Sequence, residues 1–497
     1  MKHHFFALSA LLIVSSSLRA VTFDPNTRYS KELINSRMTQ WNNKTNTVGF
    51  PNDNSTNGKT TPSTAAGWDY VPGVVAKGIL EAWSYYQDQT WAKAWYEGLA
   101  GWASGKSAPT GGGSLDDLNC AKVFFTLYDG AKAGGKFANT TNASAYLTQL
   151  SNAATGLKAH KSSYSISGTG TTADGGWYHK SNYTNQMWCD GAYMGPALLA
   201  QILDYQQQVA NDGDESTTIT CDLTWDDVMT QFTASWTPLW DSKEKLLWHA
   251  FSTDKSSGGA SGWVFADGQT PIGGGYHSAE YWSRADGWYI LALVDVLEAM
   301  EHCGMKGTTD FTTIQGYLTD LATGLIARQD ATTGCWYQLL QYGSDKCAKQ
   351  GTDATGSSTY TNVSSGGTFC NYLESSGSCL ITAALLKALR LGYLTGDTYK
   401  DAAKRGYEGI VSQFIQGTAG NYTISTSCES AGLSSSRNGS AAYYLIGKDV
   451  PVNDNTEGKV FGAFLMAAVE YERAYLPIGS ASDETASNCK CLNLTLQ

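Results

Sequence analysis

From Trp68 onward, apolar residues recur at helical spacing. In segment 71–87 Val74, Val75, Ile79, Leu80 and Trp83 fall on one stripe. The same period runs through 89–103, 115–130, 141–158, 188–208, 224–237, 279–302, 310–328, 374–392, 397–415 and 456–474. With one possible helix near 29–41, this predicts roughly a dozen helices. Strand-like pieces are confined to Leu247–Ser252 and Trp336–Leu340. The stretches 159–186, 252–278, 339–371 and 417–455 are rich in Gly, Ser and Thr. Loops of that length in a compact domain usually carry function or are disordered.

No Pro/Gly linker divides the helices into two cores, so one large all-α unit is expected. A solenoid would repeat at a fixed period, and no such repeat is present. A closed toroid of inner and outer helices remains, with its loops gathered at the ends where a cleft can form. The expected layout is a signal peptide over 1–20, a polar lead over 21–66, the helical barrel over 67–476 and a tail over 477–497. The signal rests on Met1-Lys2-His3-His4, the apolar run Phe5 to Val14 and the small Ala20. That run is too short to span a bilayer, and no later segment qualifies. A secreted or periplasmic location follows as an expectation.

Composition narrows the partners. Charged residues are only 16%, while the chain carries 16 Trp, 28 Tyr and 15 Phe, which excludes a disordered chain. The net charge of −11 disfavours a nucleic-acid partner. Neutral or sugar-like ligands suit such a surface, and an acidic ligand only where a few cations are placed locally. Among the eleven cysteines, Cys347 and Cys370, and Cys489 and Cys491, are the likelier bridge members. Cys120, Cys189 and Cys379 lie in helical apolar patterns and read as free core thiols. There is no CxxC or HExxH spacing, so no metal site is expected. Sequons at Asn139, Asn142, Asn182, Asn362, Asn421 and Asn438 are compatible with glycosylation.

Five short constellations could carry chemistry, each with a plainer structural reading. Leu115-Asp116-Asp117 opens a helix, where an aspartate commonly caps. Asp190 follows Trp188 just before the apolar helix that Pro196 opens, so it is either a cap or a general acid against an aromatic wall. Trp248-His249-Ala250 lies on an extended piece, where a lone His is more often a satisfied core residue. Trp282, Arg284 and Trp288 combine flat rings with a guanidinium. Rings stack on sugar faces and Arg grips carboxylates, but the same set could be a core stripe with one salt bridge. In Leu373-Glu374-Ser375-Ser376 a serine cap is expected, with Glu374 holding a neighbouring loop. This run lacks the context of a nucleophilic serine.

In order along the chain, Trp68-Asp69-Tyr70, Leu115-Asp116-Asp117, Tyr178-His179-Lys180, Gln186 to Gly195, Trp248-His249-Ala250, Glu280 to Arg284, Gly287-Trp288-Tyr289, Thr333 to Gln338 and Leu373 to Ser378 resemble glycoside hydrolase family 105, the unsaturated rhamnogalacturonyl hydrolases. The resemblance extends more distantly to the unsaturated glucuronyl hydrolases of family 88. It implies an (α/α)6 barrel and an oligosaccharide substrate with a 4,5-unsaturated uronate at its non-reducing end. The implied reaction hydrates the C4=C5 bond, needs no cofactor, and differs from two-carboxylate displacement. By resemblance Asp190 is the acid/base, and Asp116 orients the sugar or assists. Lys180, Trp188, His249, Trp282, Arg284 and Trp288 line the pocket, and Tyr70 lies at its rim. Arg284 is expected to be the foremost cation for the uronate. Cys189 and Val71-Pro72 depart from the family pattern, and the loop 341–370 is longer than expected. The competing readings are an ordinary glycosidase, with a second acid among Asp116, Asp117, Asp286 and Glu280, and a non-catalytic glycan-binding protein.

Overall fold

A computed structural model describes residues 20–45, 68–211, 218–255, 260–264, 275–350, 366–447, 450, 452–453 and 458–478. The expected signal peptide (apart from Ala20), most of the expected tail with Cys489 and Cys491, and Asn362 lie outside the described residues. Among those described, helices buried on nearly every side alternate along the chain with helices that bury one face. The inner set is Tyr70–Tyr86, Val123–Ala131, Pro196–Asn211, Ser283–His302, Ser375–Leu391 and Gly458–Tyr475. The outer set is Tyr29–Thr45, Lys93–Ala103, Thr140–Ser163, Trp225–Leu239, Thr309–Ala327 and Asp397–Phe414. Ser283–His302 illustrates the inner type. Ile290, Leu291, Leu293, Val294, Val296 and Leu297 face all round the axis and all are buried.

The inner helices form a closed ring. Gly458–Tyr475 packs against both Tyr70–Tyr86 and Ser375–Leu391, which packs on Ser283–His302, which packs on Pro196–Asn211. Tyr205 closes the circuit: its ring lies 4.6 Å from that of Phe125, and its hydroxyl donates to Asp129 at 2.5 Å. Val123–Ala131 then returns to Tyr70–Tyr86. This is the (α/α)6 toroid. Glycine permits the closest crossing. A Cβ on Gly462 would stand 2.5 Å from the Val74 carbonyl oxygen, and one on Gly78 2.8 Å from that of Gly462.

The expected boundary at residue 67 is corrected. Tyr29–Thr45 is the outer helix that completes the ring, not part of a separate polar lead. Ser30 donates its backbone N–H and its hydroxyl to the buried Glu472, at 2.9 and 2.5 Å. Arg28 donates to the Leu476 carbonyl at 2.7 Å. The helix expected near 29–41 is present, and the face it buries mixes Tyr29, Leu33 and Ile34 with Ser30, Ser36 and Arg37. Two long predicted helices are also interrupted. A 3-10 turn, Cys120–Lys122, divides Leu115–Asn119 from Val123–Ala131. Cys189–Met194 ends before Pro196, whose missing N–H and ring cannot continue a helix.

The two ends of the barrel differ. Toward the C-terminal ends of the inner helices, the half-buried Lys387 lies between Asp295 and Glu298, 2.6 Å from each. At the other end the long loops meet: Val264 N–H donates to the Asn438 carbonyl at 2.7 Å, joining two of them. A small sheet there pairs Gln186–Trp188 with Ala250–Ser252, and the latter with Tyr276–His277. Its strands of two and three residues are too short for periodicity to predict the pairing. Beside it, Cys347–Lys349 pairs with Thr368–Cys370, and the Cys347 and Cys370 sulfurs lie at bonding distance. Cys120, Cys189 and Cys379 are buried and unpaired.

Candidate active site

The sheet gathers the chemistry. Trp188 pairs with Ala250, the Cys189 N–H donates to the His249 carbonyl at 3.0 Å, and the His249 N–H donates to the Glu280 carbonyl at 3.4 Å. Three distant segments therefore present Asp190, His249 and Trp282 to one place. Asp190 is the second residue of the helix Cys189–Met194, whose cap position is Trp188. It caps nothing. Its side chain keeps 14% exposure, while its Oδ2 is closed off from solvent with no hydrogen-bond partner and lies 3.3 Å from His249 Nε2. His249 is fully buried, wedged between the rings of Trp188 at 5.3 Å and Trp282 at 4.8 Å. Its Nδ1 meets the Tyr444 hydroxyl at 2.5 Å.

Asp116 is held differently. Ser114, not Asp116, caps the helix Leu115–Asn119 by accepting the Asp117 N–H. The Asp116 carboxylate is thereby free to bind His179 Nε2 at 3.2 Å and Lys180 Nζ at 2.6 Å. Burial pushes this carboxyl up, but His179 and Lys180 outweigh it and hold it well below the usual carboxylate range. Burial would lower the Lys180 ammonium, and Asp116 more than reverses that. Lys180 keeps 33% of its side chain exposed and uses one of its donors on Asp116. One wall is aromatic: Trp188 stacks on Tyr183 at 4.8 Å and on His179 at 5.2 Å, with all three planes nearly parallel. Tyr70 opens its helix behind the Asp69 cap, and the neighbouring Trp68 donates its indole N–H to the Asp117 carbonyl at 2.8 Å.

Two expected pocket residues are placed elsewhere. Arg284 is 2% exposed. Its Nε donates to Ser376 Oγ at 2.8 Å, its terminal nitrogens donate to the Glu429 and Cys428 carbonyls, and it lies 3.8 Å from Glu374. The guanidinium ties a helix start to the 428–429 segment, so it is not the foremost cation for a ligand. Trp288, 1% exposed, packs against Tyr193 at 4.6 Å inside the ring and lines no cleft. Trp282 stays at the site, its N–H donating to Gln338 at 3.0 Å. Glu374 holds the neighbouring loop, accepting the Cys428 N–H at 2.8 Å, and is itself the helix cap through Gly377, in place of the expected serine.

Two other carboxyls stand near. Burial, with Asp190 adding, pushes the Asp286 carboxyl well above its ordinary range; it accepts the Leu247 N–H at 3.0 Å. Burial drives Glu280 up to about 7, against the pull of Lys346 and of several hydrogen bonds. The Cys189 thiol donates to the Trp248 carbonyl at 3.2 Å, and burial keeps it protonated.

Residues 43–365 and 354–475 match the family model of Glycosyl Hydrolase Family 88. The chain belongs to that family. The fold agrees with solved relatives. A glycoside hydrolase of family 105 from C. acetobutylicum is 25% identical, with a TM-score of 0.62, over 90% of this chain and 99% of that one. A possible member of the same family from Klebsiella pneumoniae superposes with a TM-score of 0.58 at 16% identity, over 95% of this chain and all of its own. A family 88 glycosyl hydrolase from Bacteroides vulgatus gives 0.53 at 16%, over 89% and 99%. A 24.9 kDa protein in the picA locus of Rhizobium radiobacter is 30% identical over 135 residues, which are 27% of this chain and 46% of that relative. The chain thus matches less than half the length of that curated relative.

Sequence reasoning left His179, Tyr183 and Tyr444 out of the site. His179 and Tyr183 flank Lys180 and could have been found by proximity. Tyr444 stands 195 residues from His249, on the short helix Ala441–Ile446 within a stretch without sequence periodicity, and the sequence carries no signal for it.

Proposed function

We propose that the protein removes a 4,5-unsaturated uronic acid from the non-reducing end of lyase-generated oligosaccharides, of rhamnogalacturonan or ulvan type, by hydrating the C4=C5 bond. The observation that carries this reading is the contrast between two carboxyls. Asp116 is held ionised by His179 and Lys180, whereas Asp190 satisfies no cap, pairs with no lysine or arginine among the described residues, and faces a buried imidazole. Asp190 delivers a proton to C4 and takes one from the water that adds to C5. The hemiketal so formed opens and releases the neighbouring sugar. Asp116 accepts hydrogen bonds from the sugar hydroxyls. With Arg284 committed elsewhere, the partly exposed Lys180 is the cation proposed to meet the uronate carboxylate. The stacked Tyr183 and Trp188 offer rings to the sugar face.

Export is proposed on two grounds: the basic and apolar N-terminal run, and the Cys347–Cys370 pair, read as a disulfide that suits an oxidising compartment. The test of activity is a panel of unsaturated oligosaccharides from pectin, ulvan and glycosaminoglycans, followed by the ultraviolet absorbance of the double bond. If every member keeps its absorbance, the reading fails. Loss of absorbance with one class names the leaving sugar.

A further inference from the structure

We propose that the Tyr444 hydroxyl fixes the tautomer of His249, so that the imidazole presents Nε2–H to Asp190 and Tyr444 acts as a positioning residue for the acid/base carboxyl. The inference rests on the reading of Asp190 given above. His249 has two ring nitrogens and two neighbours: Tyr444 Oη at 2.5 Å from Nδ1 and Asp190 Oδ2 at 3.3 Å from Nε2. The imidazole is fully buried, so no solvent exchange decides its state. Burial, with Tyr443, Glu280 and Asp190 adding to it, drives the Tyr444 phenol well above its ordinary range, so it keeps its hydrogen. The contact the structure gives that hydroxyl is His249 Nδ1. If Nδ1 carried a hydrogen, the buried phenol hydrogen would lose its acceptor. The Nε2 lone pair would then also face the carboxyl oxygen. If the phenol donates instead, Nδ1 accepts and Nε2 carries the hydrogen, on the side of the ring where Asp190 stands.

The arrangement divides the carboxyl into two sides. Oδ2 is closed off from solvent and faces the imidazole, so the accessible side is that of Oδ1, where substrate and water would exchange the proton. The Nε2 to Oδ2 contact is short enough for a hydrogen bond but misaligned, which is common before a substrate closes a site. Among the described residues, the ion-pair contact of Asp190 is His249. Asp286, which accepts the Leu247 N–H, and the Cys189 thiol are both kept in their neutral forms by burial. The indoles of Trp188 and Trp282 close the sides of the imidazole. Glu280 lies beyond, on the side of Tyr444.

Two measurements test this. In the uniformly 15N-labelled full-length protein, long-range proton–nitrogen spectra, with His249 assigned by the loss of its signals in His249→Gln, should give the Nε2–H tautomer. An Nδ1–H tautomer in the wild-type protein would overturn the proposal, whatever the substrate proves to be. In Tyr444→Phe, which keeps the ring, kcat on the unsaturated oligosaccharide should fall at least about tenfold with KM within about threefold. An unchanged kcat in a folded Tyr444→Phe also overturns it. If the wild-type enzyme consumes no unsaturated oligosaccharide, the functional reading fails instead, and the tautomer spectrum still decides the inference.

Discussion

Replacing Arg284 by Met separates two roles that the sequence could not. Methionine keeps much of the side-chain volume against Trp282, over whose ring the guanidinium carbon lies at 4.9 Å. It removes the charge beside Glu374, a carboxylate with no exposed surface, and the donors to Ser376, Cys428 and Glu429. Breaking a buried ion pair by deleting one partner costs about 3–5 kcal/mol, because the other charge stays buried. The Gly377 and Cys428 N–H groups and the Ser376 hydroxyl still serve Glu374, which puts the cost toward the lower end of that range. Unfolding entropy of about 2.1 cal/mol/K per residue, taken over 497 residues, gives about 1 kcal/mol/K. The expected drop in Tm is therefore about 3–4 °C by calorimetry. KM for the uronate substrate should stay within about threefold. A charged partner of the substrate carboxylate would instead cost at least about 2 kcal/mol, or about 30-fold in KM. A 30-fold rise in KM at unchanged Tm would refute the structural assignment of Arg284.

Lys180→Met should raise KM for the anionic substrate by about 10- to 100-fold, and it should also make activity more sensitive to acid, since Asp116 loses a cation that favours its ionised form; an unchanged KM removes Lys180 from the pocket. Glu280 is an acid whose folded value, about 7, lies above its unfolded one. Its burial therefore costs nothing below about pH 4, and the penalty grows as pH rises from about 4 to 7 and then stays constant, at up to about 3 kcal/mol. Glu280→Gln should consequently gain stability relative to wild type across that window, and parallel melting curves at pH 4 and pH 8 would speak against it. Lys387→Met, far from the site, removes the cation that Asp295 and Glu298 share; because Lys77 and Lys122 still face Asp295 and Arg390 still faces Glu298, stability should fall by about 1–3 kcal/mol with kcat/KM unchanged, and an unchanged Tm would contradict this.

The barrel was legible because its inner and outer helices differ in how far their apolar stripes extend. Ser283–His302 could be read within a few residues on periodicity alone. Tyr29–Thr45 was legible as a helix near 29–41 but not as part of the ring, because it is tied to the last inner helix through Ser30 on Glu472 and the preceding Arg28 on the Leu476 carbonyl, contacts that periodicity does not report. At the site, short motifs marked the residues that lie on tight local structure: Asp116, Lys180, Asp190, His249 and Trp282. Their partnerships were not legible. A buried guanidinium in a ligand pocket and one in a core ion pair share the same sequence, and only the carbonyls of Cys428 and Glu429 decide for Arg284. Tyr444 reaches His249 from a short helix, Ala441–Ile446, inside a stretch that sequence reading left as loop.

The central claim is that Asp190 drives hydration of an unsaturated uronate, and one time course tests it most directly. The wild-type protein and Asp190→Asn are each incubated with a defined unsaturated disaccharide, while double-bond absorbance and release of the neighbouring sugar are followed together. The account predicts that wild type loses absorbance no later than it releases sugar. It also predicts that Asp190→Asn does neither while still binding the disaccharide. Sugar release that runs ahead of the absorbance loss, or full activity in Asp190→Asn, would contradict it.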